Sequence, residues 1–359
     1  MRILQIIDSL EAGGAERMAV NYANALAQRI DFSGLVVSRK QGPLLKQVDA
    51  KVPYLFLGRK RTLDLKALLK LRKFVKQNGV EVVHAHSTSF FLAFLLKLSL
   101  PSVQLLWHDH YGDSEFLRKR PSLALKMASP FFNGIIAVNQ HLKVWAKQQF
   151  GFENVIYLPN FPSKENEVFE HTLLKGIARK RILCLANLRE QKNHFLLLEV
   201  AKRVQETHPE WTFHLVGKDF EDHYSRQIRK VILEYKLENT VFVYGSKTDI
   251  QNIMEQSTLA ILTSQSEGLP VALLEYGWHK KPVVVTNVGE IPLMMQDGRN
   301  GFMVEVNNTD LFYESLVRLV ESASLQSEFG KALHQTIVEQ YSEESVLGQY
   351  LNWLENSGK

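Results

Sequence analysis

Short apolar runs alternate with amphipathic stretches in two successive series along this 359-residue chain, and that alternation limits the fold more than any other feature. The first series reads RILQII (2–7) as strand, GGAERMAVNYANALAQ (13–28) as helix and FSGLVVS (32–38) as strand. TLDLKALLKLRKFVKQ (62–77) follows as a helix, with Leu65, Leu68, Leu69 and Phe74 near one face and Thr62 expected as its N-cap. VEVVHAH (80–86), VQLLWHDH (103–110) and NGIIAVN (133–139) are further strands. VIYLPNFPSKENE (155–167) then breaks the pattern with two prolines, two asparagines and a charged tail. Beyond it the series restarts: RILCLANL, NHFLLLEVAKRVQETH, TFHLVG, SRQIRKVILEYKL, TVFVYG, DIQNIMEQ, LAILTS, PVALLEYGWH and PVVVTN alternate strand and helix. Amphipathic helices close the chain from about residue 310. Such alternation predicts an α/β protein with two doubly wound, Rossmann-like parallel sheets, each covered by helices on both faces. The expected boundaries are 1–162, 163–340 and a terminal helix over 341–359 that packs back toward the first domain.

Composition supports two cores: 45% of residues are hydrophobic and 23% charged. The single cysteine, Cys184, lies in an apolar run and reads as a packed core residue, so no disulfide framework exists and a reducing, cytoplasmic setting is expected. MRILQIIDSL lacks a small-residue cleavage site and reads as a first strand rather than a leader. FFLAFLLKLSL (90–100) contains Lys97 and is too short to cross a bilayer, so it is a buried or membrane-touching helix. Charge divides unevenly, at +11 over 1–162 and −6 over 163–359. The basic half is either a solvated surface or a face for an anionic partner. Its densest stretch holds Arg59, Lys60, Arg61, Lys70 and Lys73, with Arg118, Lys119 and Arg120 further on. We expect this set to meet an anionic inner membrane leaflet. There is neither a nucleic-acid module nor an aromatic platform pattern, and nucleic acid is not an expected partner.

Open parallel sheets bind ligands at the carboxyl ends of their strands, beside helix N-termini. Gly13 and Gly14, after the first strand, allow close backbone approach, although no three-glycine dinucleotide fingerprint is present. ANLREQKNH (186–194) puts Arg189 and Lys192 in the matching place of the second series, where two cations can hold a diphosphate. Gly217 ends the next strand there. In SEGLPVALLEYG (266–277), Pro270 suits a first helical turn, and Glu267 precedes it. Amides from Gly268 through Leu269 to Val271 would face a phosphate or sugar, Glu267 can accept from sugar hydroxyls, and Glu275 from a ribose. Complementing a helix dipole would explain Glu267 alone, but not the whole group. His84 with His86, and His108 with His110, each share one strand face. They offer nitrogen ligands, yet their spacing is not that of a closed metal site, and no metal is expected.

SEGLPVALLEYG resembles the E-x7-E signature of glycosyltransferase family 4, which has the GT-B fold of two Rossmann-like domains facing across a cleft. GGAE near the start, LANLREQKN, and TNVGEIPLMMQDGRNGFMV after the signature are similar to that family too, so the resemblance covers nearly the whole chain. It departs at Leu293, where the family often has an acid after the proline.

The resemblance implies a metal-independent, retaining glycosyltransferase that moves a hexose-type sugar from a UDP- or GDP-sugar to a hydroxyl. The acceptor would be a saccharide or lipid-linked saccharide, as in surface polysaccharide, capsule or lipopolysaccharide assembly. Glu267 would hold the donor sugar, Glu275 the ribose, and Arg189 and Lys192 the leaving diphosphate. Gly14 would approach the donor from the other domain and His108 would lie near the anomeric centre. His84, His86 and His110 are acceptor-cleft candidates. The resemblance also implies front-face attack, with the departing phosphate helping to take the acceptor's proton. A nucleotide-sugar epimerase of the same build, which needs no acceptor, and a non-catalytic nucleotide-sugar-binding partner are the alternatives. The missing fingerprint leaves a dehydrogenase least favoured.

Overall fold

The computed structural model describes residues 1–11, 13–112, 117, 120–162 and 171–357, with Ser357 by its backbone alone. They form two units, Met1–Asn166 together with Glu343–Lys359, and Glu167–Ser342.

In the first unit, strands β1 (Arg2–Ser9), β2 (Phe32–Lys40), β3 (Tyr54–Phe56), β4 (Val82–His86), β5 (Gln104–Asp109), β6 (Gly134–Ala137) and β7 (Val155–Tyr157) form one sheet in the order β3-β2-β1-β4-β5-β6-β7. Every pairing is parallel. Helices α1 (Gly14–Leu26), α2 (Leu65–Gln77), α3 (Phe90–Ser99), α4 (Leu123–Ala128) and α5 (Gln140–Phe150) lie between strands in the chain. Helix α1 buries Met18, Ala19, Tyr22, Ala23 and Leu26, an i, i+1, i+4, i+5, i+8 stripe set by the helical period. Its partners include Ile7 and Leu10 from β1 and its following loop, and Leu35 and Val37 from β2. The N-cap of α2 is Asp64 rather than the expected Thr62: its carboxylate accepts from the Ala67 N–H at 3.1 Å. The helix therefore starts later than the sequence pattern suggests, because a carboxylate two residues on satisfies its free amides.

In the second unit, β8 (Arg181–Leu185), β9 (Thr212–Val216), β10 (Val241–Gly245), β11 (Leu259–Leu262), β12 (Val283–Thr286) and β13 (Phe302–Val304) pair in the order β10-β9-β8-β11-β12-β13, again all parallel. The helices are α6 (His194–Thr207), α7 (His223–Glu234), α8 (Ile250–Gln256), α9 (Val271–Trp278), α10 (Ile291–Met294), α11 (Thr309–Glu321) and α12 (Ala323–Gln340). One apolar cluster packs β8, β9 and α6 with α11, and a second packs β11, β12 and α9 with α12. A parallel sheet covered on both faces needs strands that are apolar throughout, and Val283, Val284 and Val285 are each fully buried. Cys184 is one such core residue, and burial pushes its thiol up to about 12.

The last helix, α13 (Glu343–Ser357), belongs to the first unit. Arg29 Nη2 pairs with Glu343 at 2.8 Å, and Trp353 Nε1 donates to Asn154 Oδ1 at 2.9 Å. Val346, Leu347 and Tyr350 are fully buried.

Both sheets reverse direction of growth once. The chain moves outward from β1 and returns to place β4 on its other side, and likewise β8 and β11 are neighbours with chain leaving to opposite sides. Loops after such neighbours diverge and leave a crevice, where open α/β sheets hold ligands.

Candidate active site

In the second unit the loops after β8 and β11 flank this switch point, and they carry Arg189, Lys192 and Glu267. After β8 the chain runs through Ala186 to Arg189, makes one 3-10 turn over Glu190–Lys192, and enters α6 at His194. Asn193 takes a left-handed conformation (φ +48°) between the two helical pieces. The loop after β11 is tied to it by two bonds, Gln265 N–H to Gln191 O at 2.8 Å and Thr263 Oγ1 to Lys192 O at 3.0 Å.

That fastening brings two expected site residues together. Lys192 Nζ lies 2.6 Å from Glu267 Oε1. Ser264 Oγ donates to the same oxygen at 2.7 Å, and Ser264's own carbonyl accepts from Thr286 Oγ1 at 2.6 Å. Glu267 is buried and Lys192 mostly so. A carboxylate removed from water must be paired and hydrogen-bonded, and both conditions hold here. Gly289, at φ +56°, lies against the Glu267 carbonyl, where an added Cβ would sit 1.9 Å from the oxygen. Glu290 N–H also bonds to Gly268 O at 3.2 Å. The 287–290 loop thus braces the Glu267–Gly268 turn from behind.

The other expected positions distribute around this turn. Pro270 is the N-cap of α9, Val271 its first residue, and Gly268 is half-buried beside them. Leu269 is buried in the core packed by α9 and α12. Glu275 is buried on α9. Gly217, after β9, packs on the β8 loop, and a Cβ there would meet Ala186 O at 2.1 Å. Arg189 is exposed and stacks on Phe220, its guanidinium carbon 4.6 Å from the ring centre. Leu293 is exposed.

In the first unit Gly13 is the N-cap of α1 and Gly14 its first residue, at the β1/β4 switch point. His84 and His86 from β4 and His108 from β5 are fully buried, and His110 is half-buried. His84 Nε2 lies 3.1 Å from His108 Nδ1, and His86 Nδ1 lies 3.0 Å from His110 Nε2. His86 Nε2 meets Gln5 Oε1 at 2.8 Å, and His84 Nδ1 meets the Tyr350 hydroxyl at 3.2 Å. Tyr22 packs edge-on against His84 and His108. Burial pushes His84, His86 and His108 well below the usual histidine range, so all three are neutral near pH 7. Nitrogens of His84, His86 and His108 come within 4.8 Å of one another, which sequence spacing alone did not show. His84 and His108 are hydrogen-bonded to each other, and His86 to His110 and Gln5.

Two basic residues expected at a surface are internal. Arg59 is buried and pairs with Asp8 at 3.1 Å. Arg120 makes a two-pronged bond to buried Asp109, at 2.6 and 2.8 Å, between the rings of Trp107, Tyr111 and Trp145. Both guanidiniums face carboxylates, Asp109 fully buried and Asp8 half-buried, which corrects their placement in an anion-facing patch. Arg118 and Lys119 lie outside the described residues. Lys60, Arg61, Lys70 and Lys73 are exposed.

Sequence reasoning missed Ser264, Thr286, Gln5, Tyr22 and Tyr350. Hydroxyl and amide side chains carry no periodic signal, and Tyr350 reaches His84 across 266 positions of sequence.

Two family models match this chain. Glycosyl transferases group 1 covers residues 168–336, and Glycosyltransferase Family 4 covers residues 12–161. The chain belongs to glycosyltransferase family 4. This family 4 chain is 29% identical over 247 residues to a poly(ribitol-phosphate) alpha-N-acetylglucosaminyltransferase of Staphylococcus aureus, covering 68% of this chain but only about half (48%) of that enzyme. It is 25% identical over 342 residues to a UDP-Gal:alpha-D-GlcNAc-diphosphoundecaprenol alpha-1,3-galactosyltransferase of Escherichia coli, covering 87% and 86% of the two chains. Among solved structures, Anabaena HepE in complex with UDP-glucose superposes with a TM-score of 0.79 at 18% identity, covering 99% and 100%. The fold is GT-B, and the family 4 chain is a glycosyltransferase.

Proposed function

We propose that this glycosyltransferase transfers a hexose-type sugar, with retention and without a metal, from a UDP-sugar to a hydroxyl of a saccharide or lipid-linked saccharide in surface-polysaccharide assembly. The observation that carries this reading is the Lys192–Glu267–Ser264 cluster at the β8/β11 switch point. As the nucleotide leaves, negative charge grows on its phosphate and positive charge on the sugar ring. Lys192 has three N–H bonds and can keep one on Glu267 while giving another to the phosphate. Arg189, anchored on Phe220, adds a second cation, and the amides of Gly268 to Val271 add dipoles. With phosphate charge met by side chains, a divalent ion is not required. Glu267 accepts from sugar hydroxyls, Glu275 from the ribose, and His108 lies near the anomeric centre. GDP-sugar is the second donor to test; the relatives named for UDP-sugars favour UDP.

A thermal-shift panel of UDP-, GDP- and ADP-sugars tests the donor, since a ligand bound at a hundred times its Kd stabilises by about 2.7 kcal/mol. UDP-sugars should raise Tm in wild type and less in Glu267→Ala. No shift with any nucleotide sugar would sink the reading. An isomerised sugar from donor alone would support the epimerase instead.

We further propose peripheral attachment to an anionic cytoplasmic leaflet through α2. Its exposed Leu65 and Leu69, with Leu63 just before it, lie among Lys60, Arg61, Lys66, Lys70 and Lys73. Apolar side chains flanked by cations suit an interfacial helix. Among the described residues, no helix is long and apolar enough to cross a membrane.

A further inference from the structure

The four histidines of the first unit are ordered as two hydrogen-bonded pairs. His84 and His108 are nearly coplanar, with ring centres 5.1 Å apart and planes 17° apart, as an in-plane N–H···N bond requires. His86 and His110 repeat this at 5.2 Å and 22°. One pair stacks on the other, with ring centres 4.4 Å apart for His84 over His86 and 3.9 Å for His108 over His110. Each pair therefore holds one proton between two nitrogens, and the question is on which nitrogen it sits.

The outer end of the first pair decides. Tyr350 is fully buried, and His84 Nδ1 is its hydroxyl's hydrogen-bond partner among the described residues. Burial raises this phenol well above its ordinary range, so it keeps its proton. If His84 Nδ1 carried a hydrogen, the phenol proton and the His108 Nε2 lone pair would both be buried without partners among the described residues, whereas with the phenol donating only the His108 Nε2 hydrogen is, one unpaired group fewer. With the phenol donating, His84 Nδ1 accepts, and the His84 hydrogen must sit on Nε2 and point at His108 Nδ1. His108 in turn carries its hydrogen on Nε2, the nitrogen with no partner among the described residues.

We propose that Tyr350, on the last helix, is a positioning residue that acts through His84 to fix His108 as the Nε2–H tautomer, making His108 a neutral hydrogen-bond donor and not a general base. The tautomer rests only on this chain of bonds. Its bearing on turnover rests on the placement of His108 near the anomeric centre proposed above. A fixed N–H suits a sugar hydroxyl or a developing oxyanion, and it leaves the acceptor's proton to the departing phosphate. The contribution of α13 would then be chemical as well as structural, since the hydroxyl of Tyr350 orders a proton two rings away.

The test uses the full chain with 15N-labelled histidine and long-range 1H–15N correlation spectra, which distinguish the two neutral tautomers. Wild type should show His108 as Nε2–H. Tyr350→Phe should populate the Nδ1–H form of His108, because His84 Nδ1 loses the phenol that donates to it. His84→Gln, whose amide can still donate to His108 Nδ1, should keep Nε2–H, whereas His84→Phe should not. In turnover with a UDP-sugar, Tyr350→Phe should lower kcat about tenfold, the worth of one hydrogen bond, and leave donor KM and the donor thermal shift unchanged. A wild-type His108 protonated on Nδ1 would overturn the proposal, and that measurement needs no variant to fold. An unchanged tautomer in Tyr350→Phe would overturn it too. If wild type shows the Nε2–H tautomer yet no nucleotide sugar raises its Tm, the relay stands and the glycosyl-donor reading falls.

Discussion

At the scale of single residues, the Glu267 carboxylate shows how a charge is kept in a buried place. Lys192 and Ser264 both donate to its Oε1, and removing the lysine would leave a buried charge without its counterion. Lys192→Met should therefore lower stability by about 3–5 kcal/mol and cut kcat on the order of 100-fold or more, through lost phosphate stabilisation. Lys192→Met with Glu267→Gln should recover most of the stability and none of the activity. Urea denaturation and initial rates, run on both variants, separate the two effects. Stability that stays low in the double variant would mean that packing, not charge pairing, holds the turn. Gly289 sets a different limit. A Cβ there has both the wrong φ and the Glu267 carbonyl 1.9 Å away, so Gly289→Ala should cost more than about 1 kcal/mol and weaken donor binding by shifting the Glu267 turn.

At the scale of elements, the helix ends are where sequence patterning is least decisive. Asp64 caps α2, while Thr62 only offers its carbonyl to Arg59 at 3.4 Å. Asp64→Ala should therefore lower stability by about 1 kcal/mol and Thr62→Ala by much less. Thermal unfolding of the pair checks this, and equal losses would restore Thr62 as the cap. The amphipathic face of the same helix makes a second prediction. Leu65→Ser with Leu69→Ser should reduce flotation with vesicles containing anionic lipid, and high salt should reduce it in wild type. Equal recovery on neutral vesicles would remove the membrane proposal.

At the scale of the whole molecule, acid lability should be governed by buried neutral histidines. His84, His86 and His108 lie well below the ordinary value of 6.5 because burial disfavours their charged form, and His194 is held near 3 for the same reason. Unfolding lets each bind a proton below 6.5, so the unfolded state carries more protons there and stability rises with pH. The contribution is fully present above pH 6.5 and is lost as pH falls toward the folded values, at up to about 1.4 kcal/mol per histidine per pH unit. Urea midpoints measured from pH 7.5 to 5 should fall steeply below 6.5, and His86→Asn should flatten the slope. A midpoint flat across that range would show these rings to be protonated in the folded state.

Much of the molecule was legible in the amino acids because its signals are local. Continuous apolar runs and period-3.6 patterning marked both strand–helix series, the Pro-Asn break lay between the two, and Glu267, Pro270 and Glu275 lie within one short stretch. Two H-x-H stretches were equally visible, as was the excess of basic residues in the first half. What those residues face was decided only by tertiary structure. Arg59 and Arg120 looked like surface charge and proved to be counterions of Asp8 and Asp109, because a carboxylate withdrawn from water, partly for Asp8 and fully for Asp109, is stabilised by a nearby cation. Thr62 gave way to Asp64 by two residues for a similar reason, the stronger acceptor taking the free amides. His84 meets His108 through strand register and Tyr350 through the packing of α13. Periodicity reports which side of its own element a residue occupies. Partners drawn from β1, β4, β5 and α13 are set by sheet order and helix docking, which no local pattern encodes.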